Sequence, residues 1–208
     1  MWTWTLNWNV VRHDLVIGSC PRRAGDLKII QAQTQVSALL SLQHDECLEA
    51  LEIDYPRHLR QGRALGLVMA RCPMRDFDPD DQRRGLPAAV RALRELLKQD
   101  HRVYVHCTAG INRASLVVVS YLTWIEGASL EEAMAILLHA RPEILPTWEA
   151  YHGCREDLTL AHEERIRQRV LELSQRQPER EAQDHWLQAE WEIRREILLA
   201  GDGPHPAR

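Results

Sequence analysis

Four short apolar runs separated by helical patterns constrain this chain more than any other feature. They are Asp14–Cys20 (DLVIGSC), Val36–Leu42 (VSALLSL), Leu67–Met74 (LVMARCPM) and Arg102–Cys107 (RVYVHC). Each is brief, apolar and bounded by polar or turn residues, as buried strands are. Leu86, Val90, Leu93 and Leu97 recur at helical spacing and predict an amphipathic helix. Ser129 followed by Glu132 is a capping box, opening a helix that stops at Pro142. The stretch from Arg113 to Gly127 is apolar nearly all round and is expected as a central buried helix ended by that glycine. Strands alternating with helices indicate an α/β domain with a central, mostly parallel sheet flanked by helices.

Beyond about residue 150 the strand signals give way to charged helical sequence. From Glu179 to Ala200, Trp186, Ile193 and Ile197 form one apolar stripe and Leu187, Trp191 and Leu198 an adjacent one. The expected organisation is a domain over 8–155, a helical extension over 156–200 and a loose tail over 201–208. The extension's apolar face is expected to pack on the domain, with docking of a protein partner as the alternative. Trp2, Trp4 and Trp8 are read first as a hydrophobic strap over the domain edge, and second as rings for stacking on sugar.

The 208 residues carry a net charge of −4, which argues against a general binder of nucleic acid or membrane surface. Five cysteines, odd in number and without a C-x-x-C pair, make neither a disulfide framework nor a zinc site. The start has no basic and then apolar leader pattern, and no apolar run reaches the ~18 residues that span a bilayer. Cytoplasmic localisation is the expectation.

Chemistry concentrates in YVHCTAGINRAS, Tyr104 to Ser115. A strand ending at His106-Cys107, a small-residue loop and a helix opening at Arg113 curl successive N–H groups around a point in front of the thiol. The loop residues Thr108, Ala109, Gly110, Ile111 and Asn112 then form an anion nest at a helix N-terminus. The field that binds a phosphate dianion also favours a thiolate, so Cys107 is expected to be nucleophilic near neutral pH. Arg113 offers planar bidentate donors for phosphoryl oxygens. Gly110 supplies permissive φ, and Asn112 is a residue that tolerates left-handed geometry. His106 is expected to bond backbone and help tune the thiolate.

VHCTAGINRAS resembles the active-site loop of cysteine-dependent protein tyrosine phosphatases of the dual-specificity branch. WNVVRHDLVIGSCPRRAGDL and MRDFDPDDQRRGLPAAVRAL extend the resemblance, over roughly residues 8 to 150, to laforin-like and plant starch phosphatases. It implies a compact α/β domain, Cys107 as nucleophile, Arg113 as phosphate-binding arginine and Asp76 as general acid, with no metal or cofactor. One carboxyl can protonate the leaving oxygen and later activate water, provided it lies on a loop beside the nest. Asp78, Asp80 and Asp81 compete with Asp76, and some are expected to cap the next helix, with Asp81 as a cap or the holder of a loop arginine. Phe77, the chain's single phenylalanine, either stacks on a substrate ring or anchors the loop. The serine or threonine that follows the arginine in most such loops is replaced by Ala114, with Ser115 next, and Asn112 stands where the glucan-type loop has glycine.

These readings converge on phosphate-monoester hydrolysis through a phosphocysteine. Phosphoprotein is the first expected substrate and phosphoglucan the alternative. A non-catalytic phosphate-binding adaptor is the contrasting class.

Overall fold

A computed structural model describes residues 4–200. In chain order the elements are β1 (Trp8–Arg12), β2 (Leu15–Gly18), α1 (Ala24–Thr34), β3 (Ala38–Gln43), α2 (Asp45–Ala50), α3 (Tyr55–Ala64), β4 (Val68–Met74), α4 (Pro79–Lys98), β5 (Val103–His106), α5 (Arg113–Trp124), α6 (Leu130–Ala140), α7 (Trp148–Ala161), α8 (Glu163–Arg176) and α9 (Ala182–Ala200). The sheet order is β1-β2-β5-β3-β4. β2, β5, β3 and β4 are parallel, and β1 pairs antiparallel with β2 at one edge. The four expected strands are present. β1 is an addition, because its half-buried side chains lack the all-apolar pattern of the central strands. Pro73, which cannot donate to a ladder, is tolerated because β4 is the opposite edge.

Strand side chains alternate between two cores, as a period of two requires. Leu15, Ile17, Leu40, Val103 and Val105 face the larger core, shared with α4, α5 and α7. Val16, Leu39 and Tyr104 face a smaller one with Leu27 and Ile30 of α1. α4 starts at Pro79, ahead of the quoted periodic segment, with Asp78 as its N-cap. Gly85, a breaker by propensity, lies in its first turns because an added Cβ there would stand 2.7 Å from Met74 Cγ. The capping box is present, with the Ser129 and Glu132 side chains each accepting the other's backbone N–H.

Every residue of α5 is buried, so its ends need partners from the protein. At its C-terminus the Trp191 indole N–H donates to the Thr123 carbonyl at 3.1 Å, and Arg195 Nε donates to the Ile125 carbonyl at 2.9 Å. The guanidinium also complements the negative end of the helix. Gly127 has φ +81, the left-handed turn expected after a helix end.

α9 uses its two stripes on two partners. Trp186, Ile193 and Ile197 pack with Ile166 and Leu173 of α8, while Leu198 enters the main core. Leu187 departs from the expected stripe and is exposed. Beneath the helix, Glu190 accepts from Arg155, Thr159 and Arg194, a partly buried network joining α7 to α9. The extension therefore packs on the domain, and its apolar stripes are not a vacant docking face. The expected boundary at 155/156 falls inside α7, whose Tyr151 and Cys154 belong to the main core. Trp2 and the segment 201–208 lie outside the described residues. Among the described residues no helix is long and apolar enough to cross a membrane.

Leu198→Ala is expected to lower unfolding free energy in urea by about 3 kcal/mol, the usual cost of a large-to-small core change. A loss below about 1 kcal/mol would mean that α9 is not part of the cooperative core.

Candidate active site

The C-terminal ends of the parallel strands converge on the turn from β5 to α5. His106 pairs in register with Gly18 of β2 and Ser41 of β3, so the residues after it emerge between two neighbouring strand ends. Gly110 has φ +71, and a Cβ on it would lie 2.3 Å from the Gly18 carbonyl oxygen. No side chain fits this contact between loop and strand end.

Of the loop carbonyls from Cys107 to Asn112, all but that of Gly110 have a protein partner among the described residues. His106 Nδ1 donates to the Cys107 carbonyl at 3.2 Å, and the Cys20 amide donates to that of Thr108 at 3.1 Å. Arg141 donates to the Ala109 carbonyl at 2.9 Å, and the Leu145 amide to that of Ile111 at 3.0 Å. The Ser115 hydroxyl donates to the carbonyls of Ile111 and Asn112. By contrast, among the described residues no amide from Thr108 to Asn112 donates to a protein acceptor. Carbonyls held out and amides left over inside make an anion nest.

Arg113 closes the nest from the first turn of α5 and is completely buried. Its Nη1 donates to the Met74 carbonyl at 2.9 Å and to Cys47 Sγ at 3.3 Å. Nη2 donates to Thr108 Oγ1 at 3.1 Å and pairs with Asp76 Oδ2 at 2.7 Å. Nε–H is buried without a partner, an orphan donor to which an oxyanion offers an acceptor. Burial alone would lower the guanidinium's pKa, but Cys107, Asp76 and Cys47 together hold it above the ordinary value.

The competing acids separate by role. Asp78 caps α4 by accepting the Asp81 amide, and Asp81 accepts the Arg75 amide at 2.7 Å. Asp76 alone of the four pairs with Arg113. Phe77 beside it is 88% exposed at φ +57, which excludes the loop-anchor reading.

One expectation needs correction. Asn112 is not left-handed, at φ −94. Its side chain donates to the Leu145 carbonyl and accepts from Thr147, so it holds the 145–147 segment against the loop. Ser115, next after Ala114, commits its Oγ to the two loop carbonyls.

Sequence reasoning missed Gln43, Cys47 and Arg141. Gln43 is buried and donates to Thr108 Oγ1 at 3.4 Å. All three reach the loop from distant elements, so no local spacing marks them. Cys72 directs its sulfur to the Ala88 carbonyl, and burial pushes its pKa up to about 11.

Residues 34–154 match the family model described as the dual specificity phosphatase catalytic domain. The chain is 30% identical over 176 residues to the amyloplastic phosphoglucan phosphatase DSP4 of Castanea sativa, covering 84% of this chain and 45% of that protein. It is 24% identical over 166 residues to laforin of Mus musculus, covering 74% of this chain and 50% of laforin. The chain thus spans half or less of the length of these curated relatives. In fold it resembles the human tyrosine phosphatase-like serine/threonine/tyrosine-interacting protein, with TM-score 0.58 and 17% identity over 74% of this chain and 97% of that one.

Burial pushes the His106 imidazole down to about 4, against the opposing pull of the Cys107 carbonyl it bonds. An imidazole that is neutral when folded and ionises near 6.5 when unfolded contributes stability that is complete above pH ~6.5. That contribution is lost as pH falls toward about 4. The Tm difference between wild type and His106→Gln should therefore shrink as pH drops from 7 toward 4. A difference independent of pH would show that His106 is not buried in its neutral form.

Proposed function

That the chain belongs to the dual specificity phosphatase family is the premise from which we propose its activity, hydrolysis of phosphate monoesters through a phosphocysteine on Cys107. The observation that carries the reading is one constellation: buried Cys107, five unpaired loop amides, the Arg113 fork and Asp76 paired to it.

In this reading the substrate phosphate enters the nest, takes donors from the loop amides and Arg113 Nε, and displaces the Asp76 carboxylate from Nη2. The carboxylate takes up a proton from solvent as it leaves the guanidinium. The Cys107 thiolate attacks phosphorus and the phosphorus–oxygen ester bond breaks. Asp76 delivers a proton to the departing oxygen. Asp76, now a carboxylate, takes a proton from water as the water oxygen attacks phosphorus. The sulfur–phosphorus bond breaks, releasing inorganic phosphate and the thiolate. The loop amides and Arg113 stabilise the charge of both transition states. Gln43 and Cys47 act as positioning residues, the first through Thr108 and the second through Arg113.

The catalytic unit is taken as 8–155, with the helices of 156–200 fused to it through α7. Phosphoprotein on serine, threonine or tyrosine is the first substrate reading. Phosphoglucan is the second, favoured by relatives named for that substrate that align over most of this chain. An adaptor needs neither a thiol nor an acid in these positions. All five cysteines are free, which fits a reducing compartment, and we assign the protein to the cytoplasm on that ground.

Release of inorganic phosphate from an aryl phosphate, a phosphopeptide and solubilised phosphoglucan tests the reading. Cys107→Ser is expected to abolish turnover on all three. Asp76→Asn should lower kcat roughly 10²- to 10³-fold on substrates with alkoxide leaving groups, and less on the aryl phosphate, whose leaving group needs little protonation. Turnover persisting in Cys107→Ser would rule out the phosphocysteine route.

A further inference from the structure

A second concave site opens on the face that carries the nest. α1 leaves the C-terminal end of β2, and α3 runs back toward the start of β4, so both helices begin at the strand ends that hold the loop. Between their first turns lies a cavity of about 310 Å³, with Arg22, Arg23, Gly25, Asp54, Arg57 and His58 on its walls. That volume falls at the lower end of the ~300–1,000 Å³ range of small-molecule sites. None of the catalytic candidates lines it.

The backbone here is prepared for an anion. The amides of Ala24 and Gly25, the first two residues of α1, donate to no protein acceptor among the described residues. They stand at the positive end of a helix of 11 residues. Gly25 is a poor helix former that the fold does not call for: its φ is not left-handed, and no atom lies within 4 Å of a Cβ added to it. The missing side chain leaves the backbone open to close approach by a ligand. His58 is an independent contributor. It is 3% exposed, lines the cavity and meets only the Arg22 carbonyl as a hydrogen-bond partner among the described residues, which leaves its second ring nitrogen to the cavity. Beside an anion the imidazolium is favoured, and both ring nitrogens then donate.

The side-chain charges agree with the backbone. Arg23 and Arg57 are exposed and enter no ion pair among the described residues, whereas Arg165, Arg167 and Arg169 of α8 all pair with glutamates. Arg22 is held in place, its guanidinium 5.7 Å from the Trp4 ring centre and its Nη2 donating to the Leu51 carbonyl at 3.3 Å. Glu52 and Asp54 are the carboxylates on the wall, against three guanidiniums. Asp54 is engaged in capping α3 through the Arg57 amide, and nearby Asp26 accepts the Arg22 and Arg23 amides.

We propose that this cavity is a second anion subsite, taking a phosphate group carried by the same peptide as the scissile one. The proposal rests on the phosphatase reading of the nest and on phosphoprotein as its substrate. A peptide suits the walls better than a sugar chain does, because they carry no phenylalanine, tyrosine or tryptophan and the Trp4 face is taken by Arg22. The spacing follows from the chain itself. The Cys20 amide donates to the Thr108 carbonyl on the outside of the nest, and Ala24 is four residues further on, a path of at most about 14 Å. An extended peptide with phosphates about four residues apart therefore reaches both sites.

The test uses the full chain and two peptides with one scissile phosphotyrosine, differing only in serine or phosphoserine four residues away. Wild type should favour the doubly phosphorylated peptide roughly tenfold in kcat/KM, and less as salt is raised. Arg23→Gln combined with Arg57→Gln should bring that ratio close to one while leaving turnover of an aryl phosphate unchanged. Gly25→Glu places a carboxylate at the start of α1, where nothing obstructs it, and should erase the ratio without lowering Tm. Equal turnover of the two peptides by wild type overturns the proposal, as does a preference that survives in both variants. So does free inorganic phosphate changing turnover of the singly phosphorylated peptide in wild type but not in the double variant, which would make this a site for the free ion. A matching preference confined to doubly phosphorylated glucan would overturn the assignment to a peptide. If wild type hydrolyses neither peptide, the phosphatase reading fails. The ratio of the two peptides' Kd on the Cys107→Ser protein, read by fluorescence anisotropy, then decides the subsite by itself: a roughly tenfold ratio lost in the double variant supports it, and equal affinities overturn it.

Discussion

The site depends on one backbone constraint: the carbonyls of the loop between β5 and α5 are held facing outward. All but that of Gly110 have an anchor, from the His106 ring, the Cys20 and Leu145 amides, Arg141 or Ser115. Peptide units are rigid planes, so fixing the oxygens outward fixes the N–H groups inward. Gly110, pressed on the Gly18 carbonyl, lets the loop close this tightly against the sheet. The nest is thus a product of the surrounding fold more than of the loop sequence.

Arg113 and α5 extend the same constraint into the core. A completely buried guanidinium is costly unless its donors are used, and here strand-end carbonyls, Cys47, Thr108 and Asp76 use most of them. What remains, Nε–H and the donor shared with Asp76, is what a phosphate can take. The opposite end of α5 is capped by Trp191 and Arg195, so the charged extension secures the helix that carries the arginine. The Arg155–Glu190–Arg194 network fixes how α9 sits. Breaking such a buried pair costs more than forming it contributes, and so it serves docking specificity better than net stability.

Much of this architecture was legible in the chain. Central strands such as Leu15–Gly18 and Val103–His106 are apolar on both faces because both faces are covered, and that pattern is local. The Cys107-to-Arg113 spacing between a strand and a buried helix pointed to the loop for the same reason. β1 was less legible, since Trp8–Arg12 is half-buried and becomes a strand by pairing with β2. Asp76 was separable from Asp78 and Asp81 only through a resemblance until the caps were visible. Gln43, Cys47 and Arg141 carry no local signal, because their contacts join residues tens of positions apart. Asn112 misled for a related reason: its side chain is drawn to Leu145 and Thr147, and that tertiary contact overrides its turn preference.

The most direct measurement is rapid-quench mass spectrometry of the Asp76→Asn protein mixed with aryl phosphate, a leaving group that departs without an acid while breakdown is slowed. The account predicts a phosphoryl adduct that accumulates on Cys107 and decays as phosphate is released. Turnover with no adduct, or an adduct on any other residue, would contradict it.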